Sequence, residues 1–426
     1  MIDTKTAIEK ITNGEFDNLF TDIYIDSSMI DYQKKRYVHA IEQYETIFCP
    51  DKVAIFSAPG RSEVCGNHTD HQHGMVLATS INLDTIAVSA KNNNDVVRFV
   101  SDGYDMITLN INDLEVNDDE AGTTVSLIRG VLRGLKDHGY KIGGFNAYAT
   151  SDVLVGAGLS SSAAFEVVVG TIISGLYNDM KINSVEIAQI SQYAENVFFK
   201  KPCGLMDQMA CSVGGMVNID FKDPTKPIVK KVPTEFEKYD YSLCIVDTKG
   251  DHVDLTDDYA MIPSEMKKVA NFLGEDYLRD CDSNEFYIRL DEIREAVGDR
   301  PVLRAIHFFN EEYNVKNAVS SLENGKFVEF LDAIRKSGNS SFKYLQNVYT
   351  TRDIQHQNIS VALALSESLL RNYGVCRVHG GGFAGTIQAF VKNDFVGNYK
   401  EFINKIFGEN SCHVLKVRKY GGIKVM

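Results

Sequence analysis

The chain lacks the features that mark nucleic-acid-binding, membrane and secreted proteins. Its 426 residues contain no block of lysine and arginine and carry a formal net charge of −14, which argues against a surface that binds nucleic acid. No apolar run approaches the ~20 residues that span a membrane, and the first twenty residues lack the apolar core of a signal peptide. These absences predict a cytoplasmic protein that binds neither membranes nor nucleic acid.

Cysteine spacing typical of metal sites is also missing. The eight cysteines are scattered without a C-x-x-C pair, and most sit in apolar runs, as Cys244 does between Leu243 and Ile245. We therefore expect buried, reduced thiols rather than disulfides or a zinc site.

What is present is an ordinary globular composition, with 44% hydrophobic and 24% charged residues. Helical periodicity marks residues 1–50 and 124–138, and acidic, aromatic-rich helices are predicted for most of 255–375. Strand signals mark the short segments 53–56, 75–77, 86–88, 96–100, 145–150, 386–391 and 414–417. Because helices and strands alternate without strict βαβ order, the sequence predicts the α+β class.

The length of the chain indicates two or three domains, because 426 residues are too many for one ordinary core. No internal repeat, low-complexity tract or Pro-rich linker divides the sequence. A turn after Asp220 suggests a boundary that separates domains 1–220 and 221–426.

Residues 58–74 concentrate polar groups between chain-turning glycines. They supply a cation, an anion, a carboxamide and three imidazoles: Arg61, Asp70, Asn67, His68, His71 and His73. This density suits a small polyhydroxylated ligand, because sugar hydroxyls need donors and acceptors fixed at close range. The imidazoles and the carboxylate also permit a second interpretation, as the ligands of a metal ion.

The segment from Gly156 to Ala164 joins a predicted strand to the start of a helix. Its glycines let the backbone approach a ligand, and a helix N-terminus presents unpaired N–H groups to an anion. Ser160–Ser162 add hydroxyls for phosphate or magnesium, although the lysine of the G-x-x-x-x-G-K-[ST] loop is absent. A connecting loop with an N-cap serine is the alternative, but three serines behind two glycines favour phosphate binding.

A second glycine cluster, Gly380 to Gly385, formally matches G-x-G-x-x-G. A dinucleotide site should open a helix and have an acidic residue about 20 positions further on. Since a strand is predicted to follow here, we expect close backbone packing against a ligand or another segment instead.

Two acidic residues complete the set of candidates. Asp207 lies in the turn-prone segment 201–208, and Glu195 lies twelve residues before it. Phosphoryl transfer to a hydroxyl needs positioning, charge neutralisation and often a base. Asp207 suits the role of base, and Glu195 with Ser162 suits magnesium. Taken alone, however, an Asp beside a turn is usually a helix cap, and a Glu on a helix is usually a solvated side chain.

Taken together, four ordered motifs resemble those of the galactokinases in the GHMP small-molecule kinase superfamily. APGRVNLIGEHTDYNGG corresponds to residues 58–74, and GLSSSAA occurs unchanged at 158–164. PCGIMDQ corresponds to 202–208 with one difference, a leucine for the isoleucine, and GGGFGG corresponds to 380–385 with an alanine for one glycine. The match extends from about residue 36 to the C-terminus.

The resemblance implies a fold, a reaction and ligands. The fold is the two-lobed GHMP kinase fold, with ATP and sugar bound in the cleft between the N- and C-terminal domains. The reaction is ATP-dependent phosphorylation of the anomeric hydroxyl of galactose to galactose 1-phosphate, with magnesium as the metal. The expected partners are therefore a small sugar and ATP, and the chain is expected to be a monomer or a weak homo-oligomer.

The resemblance also implies roles for single residues. Asp207 is the expected catalytic carboxylate, with Arg61 stabilising it and the developing charge. Ser162 and Glu195 are the expected magnesium ligands. The expected sugar contacts are Asn67, His68, Asp70, Gly204 and Tyr259. The expected contacts of the ATP phosphates are Gly156, Gly158, Leu159, Ser160, Ser161, Ser162 and Ala163.

The sequence departs from the family pattern where the sugar's C6 hydroxyl is bound. The glutamate of GEHTD is Asn67 here, while the asparagine of VNLIGE is Glu63, so the two residue types have exchanged places. His71 also replaces the family's tyrosine. A lost carboxylate would admit a C6-altered sugar such as galacturonate, whereas a relocated one favours galactose, which is the substrate we expect.

A non-catalytic sensor of galactose and ATP is a further alternative. Such sensors tend to lose part of GLSSSAA. Because the loop, Glu195 and Asp207 are all present here, the sequence favours catalysis.

Overall fold

The computed structural model describes residues 1–49, 52–154, 156–234, 236–250 and 255–426. In these ranges the α-helices are α1 (Thr4–Thr12), α2 (Asp17–Tyr24), α3 (Ile30–Phe48), α4 (Thr124–Asp137), α5 (Ser161–Tyr177), α6 (Ser184–Tyr193), α7 (Met206–Val213), α8 (Thr256–Phe272), α9 (Ser283–Ile288), α10 (Leu290–Val297), α11 (Asp299–Glu323), α12 (Phe327–Ser340), α13 (Asn358–Leu369) and α14 (Val396–Phe407). The β-strands are β1 (Ile2–Asp3), β2 (Lys52–Cys65), β3 (Met75–Lys91), β4 (Val96–Ser101), β5 (Ile107–Asn110), β6 (Phe145–Ser151), β7 (Met216–Asp220), β8 (Ile228–Lys231), β9 (Tyr241–Asp247), β10 (Gly374–His379), β11 (Thr386–Lys392), β12 (Cys412–Leu415) and β13 (Ile423–Lys424).

Two mainly antiparallel sheets organise these elements. The larger sheet has the strand order β1-β2-β3-β6-β4-β5, with β13 beside β2, β7 beside β3 and β8 beside β7. The smaller sheet has the order β10-β11-β9-β12. Since β4 and β6 are parallel and their neighbours antiparallel, the α+β class is confirmed.

Helices cover both faces of the larger sheet, because successive apolar side chains of its strands point to opposite faces. In β2, Phe56 packs in the core formed with α4 and α5, while Ile55 packs in the core formed with α1 to α3. The smaller sheet is covered on one face by α13 and α14. Helices α8, α10 and α11 have a separate apolar cluster.

The helices and strands predicted from the sequence are found in the structure, with two differences in the strands. The predicted strands 75–77 and 86–88 form one strand, β3, and the predicted strand 414–417 lies two residues earlier, as β12. The boundary predicted after residue 220 falls between β7 and β8, which pair within the larger sheet. That boundary stays a prediction.

The structure shows the state of the cysteines and the character of the helices. All eight cysteines lie in the described ranges and are free thiols, with five of them buried. None of the helices found in those ranges combines the length and apolar character needed to cross a membrane.

Candidate active site

A cavity of about 510 Å³ lies where β2, the start of α7, α8 and the β10–β11 connection meet. Six of the predicted site residues line it: Arg61, Asn67, His68, Asp70, Gly204 and Tyr259. Asp207 and the glycine–serine loop lie beside the cavity and reach it through Arg61. The fold therefore brings together side chains that are up to 198 residues apart in the sequence, from Arg61 to Tyr259.

Local irregularity of β2 aims its side chains at the cavity. The pairing of β2 with β3 shifts register between Pro59 and Arg61 and again between Glu63 and Cys65. Bulges of this kind re-aim side chains next to functional sites. Both shifts adjoin residues that line the cavity, Arg61 and Glu63.

Arg61 joins the catalytic candidate Asp207 to the glycine–serine loop. Its Nε and Nη2 atoms donate to the two carboxylate oxygens of Asp207, each at 2.8 Å. Its Nη1 atom donates to the carbonyl of Gly158, and the Ser160 hydroxyl donates to Asp207. Burial lowers the pKa of Arg61, but attraction to Asp207 outweighs this and raises it above its usual value. The bidentate pair thus fixes Asp207 at the first turn of α7.

The glycine–serine loop presents the N-terminus of α5 to this pair. Gly156 and Gly158 have positive φ angles of 79° and 64°, which glycine adopts without strain. Ser160, at the N-cap, also has a positive φ of 58° and makes no side-chain capping bond. The first N–H groups of α5 are therefore not satisfied by a cap, as an anion site requires.

Ser162 and Glu195 face each other across the start of α5. The Ser162 hydroxyl is 3.4 Å from Glu195 Oε1, and Lys201 Nζ is 3.1 Å from the same oxygen. Gln208 Nε2 donates to Glu195 Oε2 at 2.6 Å. Glu195 lies on a π-helical turn, Ala194–Phe198, that continues α6. A hydroxyl and a carboxylate oxygen beside a phosphate site are the oxygen ligands that magnesium accepts.

The exchanged residues Glu63 and Asn67 form one buried group. Asn67 Nδ2 donates to Glu63 Oε1 at 3.0 Å, and Arg377 Nη2 donates to the same oxygen at 2.8 Å. Asn67 Oδ1 accepts from Asn347 Nδ2 at 2.8 Å. Both Glu63 and Asn67 line the cavity, so the cavity wall keeps a carboxylate at position 63, four residues before Asn67.

Three consecutive glycine carbonyls hold three of the predicted sugar-binding side chains. The carbonyl of Gly380 accepts from Asn67 Nδ2 at 2.7 Å, and that of Gly381 accepts from His68 Nε2 at 2.9 Å. The Gly382 carbonyl accepts from the Tyr259 hydroxyl at 2.7 Å. A strand, β11, follows the cluster, so the expected close backbone packing is confirmed and a dinucleotide fingerprint is not formed.

Asp70 and Gly204 lie against each other on the cavity wall. A Cβ atom at Gly204 would overlap Asp70 Oδ2, so glycine is needed for this approach. Burial raises the pKa of Asp70 to about 6, and burial lowers the pKa of His68 to about 4. Near neutral pH the wall therefore offers an ionised carboxylate and a neutral imidazole.

The alternative of a metal site at residues 68–73 is not supported. Within the described ranges no group of three or more His, Cys, Asp or Glu side chains has the arrangement of metal ligands. His73 instead stacks on Tyr277 with ring centroids 3.6 Å apart. The His71 and His68 ring centroids are 5.6 Å apart, and neither ring nitrogen of His71 has a hydrogen-bond partner among the residues that the structure describes.

Sequence reasoning missed two functional candidates. Arg377 is buried and neutralises Glu63 from 314 residues away, a distance that no local pattern reports. Glu166 is fully buried behind Glu195, and Gln208 Nε2 donates to it at 3.2 Å. Burial, and then Glu195, raise the pKa of Glu166 well above its usual range. The sequence contains a signal that could have identified Glu166, because it is the one charged residue in the otherwise apolar helix α5.

Comparisons with known proteins agree with this geometry. The model of the GHMP kinases N terminal domain matches residues 126–215, and the galactokinase galactose-binding signature matches 42–91. A galactokinase of Limosilactobacillus reuteri is 29% identical over 381 residues, which cover 86% of this chain and 93% of that protein. One from Streptomyces coelicolor is 28% identical over 358 residues, covering 82% and 88%.

Solved structures share the fold. The galactokinase of Lactococcus lactis complexed with galactose has a TM-score of 0.76 at 23% identity, covering 90% of this chain and 98% of that one. The mevalonate kinase of Methanococcus jannaschii has a TM-score of 0.57 at 17% identity, covering 86% and 98%. The chain thus has the fold of the GHMP kinases, matches their N-terminal domain over residues 126–215, and resembles the galactokinases in sequence over most of its length.

Proposed function

We propose that this chain transfers the γ-phosphate of ATP to the anomeric hydroxyl of galactose. The observation that carries the proposal is the Arg61–Asp207 pair, which lies between a cavity lined by hydroxyl-binding groups and a phosphate loop at the N-terminus of α5. A carboxylate held there is placed between an acceptor hydroxyl and a triphosphate. This is the arrangement that phosphoryl transfer to a sugar requires.

In this proposal the chain's own residues position the reactants. Asp207 accepts the hydrogen of the anomeric hydroxyl and orients its oxygen towards the γ-phosphorus. Arg61, held by Asp207 and Gly158, stabilises the charge that develops during transfer. The free N–H groups at the start of α5 and the hydroxyls of Ser161 and Ser162 bind the phosphates.

Magnesium belongs to the same proposal. Ser162 and Glu195 would hold it, because their oxygen atoms lie 3.4 Å apart beside the phosphate loop and magnesium is typically bound by one or two carboxylates together with phosphates. When bound, the metal neutralises charge on the phosphates. A cytoplasmic location and a monomeric or weakly homo-oligomeric state are also proposed.

Galactose is favoured over a C6-oxidised sugar by the charges on the cavity wall. Glu63 and Asp70 both line the cavity, and Arg377, the cation nearest to Glu63, already pairs with it at 2.8 Å. A uronic acid would bring a further carboxylate against these groups, at a cost of like-charge repulsion. A neutral C6 hydroxyl can instead donate to a carboxylate oxygen.

The test is an ADP-release assay with galactose, galacturonate, N-acetylgalactosamine and 6-deoxygalactose. We expect galactose to have the highest kcat/KM, 6-deoxygalactose to be weaker because it lacks the C6 donor, and galacturonate to be poorest. A preference for galacturonate would contradict the proposed substrate. Binding of galactose and ATP without ADP release on any sugar would favour the sensor alternative.

A further inference from the structure

Lys201 lies beside Glu195 and Ser162, next to the proposed phosphate site. It has no role in the function proposed above. It stands between Lys200, whose φ of 65° turns the chain, and Pro202. Its ammonium nitrogen is 3.1 Å from Glu195 Oε1, although 62% of the Lys201 side chain is exposed while Glu195 is buried. The same carboxylate oxygen accepts from the Ser162 hydroxyl. The ammonium group therefore lies beside the first turn of α5.

The glycine–serine loop supplies no cation of its own to bind the ATP phosphates. The loop that binds phosphate lacks the lysine of a G-x-x-x-x-G-K-[ST] loop. Arg61, the cation already assigned to the developing charge, donates to Asp207 and to the Gly158 carbonyl. A lysine ammonium group has three N–H donors, and the Glu195 contact uses one of them. The 62% exposure of the side chain leaves the other two donors accessible to a ligand bound beside Ser162 and Glu195.

We propose that Lys201 is a phosphate-binding residue, which pairs with Glu195 when no nucleotide is bound and donates to the terminal phosphates of bound ATP. Lys201, in the segment before α7, supplies the cation that the glycine–serine loop lacks. Like an ordinary lysine, its side chain is an ammonium ion at neutral pH.

This inference rests on the proposed function, because it requires ATP at the start of α5. It is tested by calorimetric binding of ATP to the full chain, with EDTA and separately with magnesium. We expect Lys201→Met to weaken ATP binding in EDTA by at least about fivefold, as for a hydrogen bond to a charged group that is partly screened, and Lys201→Arg to restore most of it. Lys200→Met is the matched control, because the Lys200 ammonium group pairs with Asp118 at 3.1 Å on the exposed surface.

A second background separates phosphate binding from mere neutralisation of Glu195. In Glu195→Gln the carboxylate is absent, so a lysine that only neutralised it would have no remaining effect. We expect Lys201→Met to weaken ATP binding in this background as well, and to leave AMP binding unchanged. Equal ATP affinities of Glu195→Gln with and without Lys201→Met would overturn the inference alone, whereas a wild-type chain that binds no ATP in either buffer would overturn the proposed function.

Discussion

At the scale of single residues, Asp207 is the side chain on which the proposed reaction depends. Its two oxygens are held by Arg61 and by Ser160, so replacement by asparagine removes the charge while keeping the shape. We expect Asp207→Asn to lower kcat by ~10²-fold or more, the size of a general-base contribution. ADP release measures this, with circular dichroism as the control for folding, and near-normal turnover would contradict the assignment.

Asp70 is predicted to give the proposed sugar site a pH dependence of its own. Because burial raises its pKa to about 6, Asp70 becomes protonated as the pH falls through 6 and loses its strength as an acceptor of sugar hydroxyls. We expect the KM for galactose to rise between pH 7 and 5, while the KM for ATP changes little. In Asp70→Asn the KM for galactose should be high at every pH, and a wild-type KM that is flat across this range would refute the role.

The exchange of Glu63 and Asn67 predicts a compensating pair of mutations. Glu63→Asn alone leaves the buried Arg377 without its carboxylate, and Asn67→Glu alone buries a second carboxylate beside Glu63; both are costly. The double exchange restores one carboxylate and one amide next to Arg377. We expect each single variant to have a lower melting temperature and a higher KM for galactose than the double variant. Additive effects would mean that the two side chains do not act as a unit.

At the scale of elements, the sequence predicted what local patterns report. The helix at 124–138 and the start of α5 follow from apolar periodicity and from the glycine–serine turn. The π-helical turns Ala194–Phe198 and Ser341–Leu345 were not predicted, since no simple periodicity marks an inserted residue. Each supplies a side chain that contacts a candidate site residue, since Glu195 contacts Ser162 and Ser341 contacts Asn67.

The site itself was predicted as a set of residues but not as a set of contacts. The motifs named Arg61, Asp207 and the loop, whereas their mutual geometry depends on how β2 bulges and how α7 begins. The role of the glycine cluster at 380–385 was left open between a ligand and another segment. In the structure its carbonyls accept from side chains more than 100 residues away, and Gly380 and Gly381 also line the cavity.

The segment before α7 gives a prediction at this scale. A methyl group at Gly204 would displace the Asp70 carboxylate, so we expect Gly204→Ala to raise the KM for galactose at least about tenfold while changing the KM for ATP little. The tenfold estimate corresponds to the loss of one hydrogen bond to a charged group. Gly397→Ala is the matched control, because a Cβ atom there meets nothing within 4 Å. Equal effects on both substrates would indicate general disorder of the segment.

At the scale of the whole molecule, one buried carboxylate ties the two ends of the chain to the larger sheet. Asp84, on β3, accepts from Arg36 of α3 at 2.6 Å and from Arg418, which follows β12, at 2.8 Å. The Tyr24 hydroxyl of α2 donates to it at 2.9 Å. Strand β13 then returns to pair with β2. The C-terminal residues thus complete the sheet that the N-terminal half builds, which a division of the sequence at residue 220 does not convey.

This cluster predicts how the molecule loses stability. Burial opposes ionisation of Asp84, but Arg36 and Arg418 outweigh this effect and lower its pKa. Ionised Asp84 therefore stabilises the folded state at pH values above the unfolded pKa near 4. This stabilisation is lost as the pH falls through the lower folded pKa.

Removing one partner of Asp84 leaves a buried charge undercompensated, so we expect Arg418→Met to reduce the free energy of unfolding by about 3 kcal/mol or more. The midpoint of urea unfolding at pH 7 measures this. Arg294→Met, which breaks an exposed pair with Asp299, should leave the midpoint nearly unchanged, and an equally small shift for Arg418→Met would show that the buried cluster does not hold the chain ends in place.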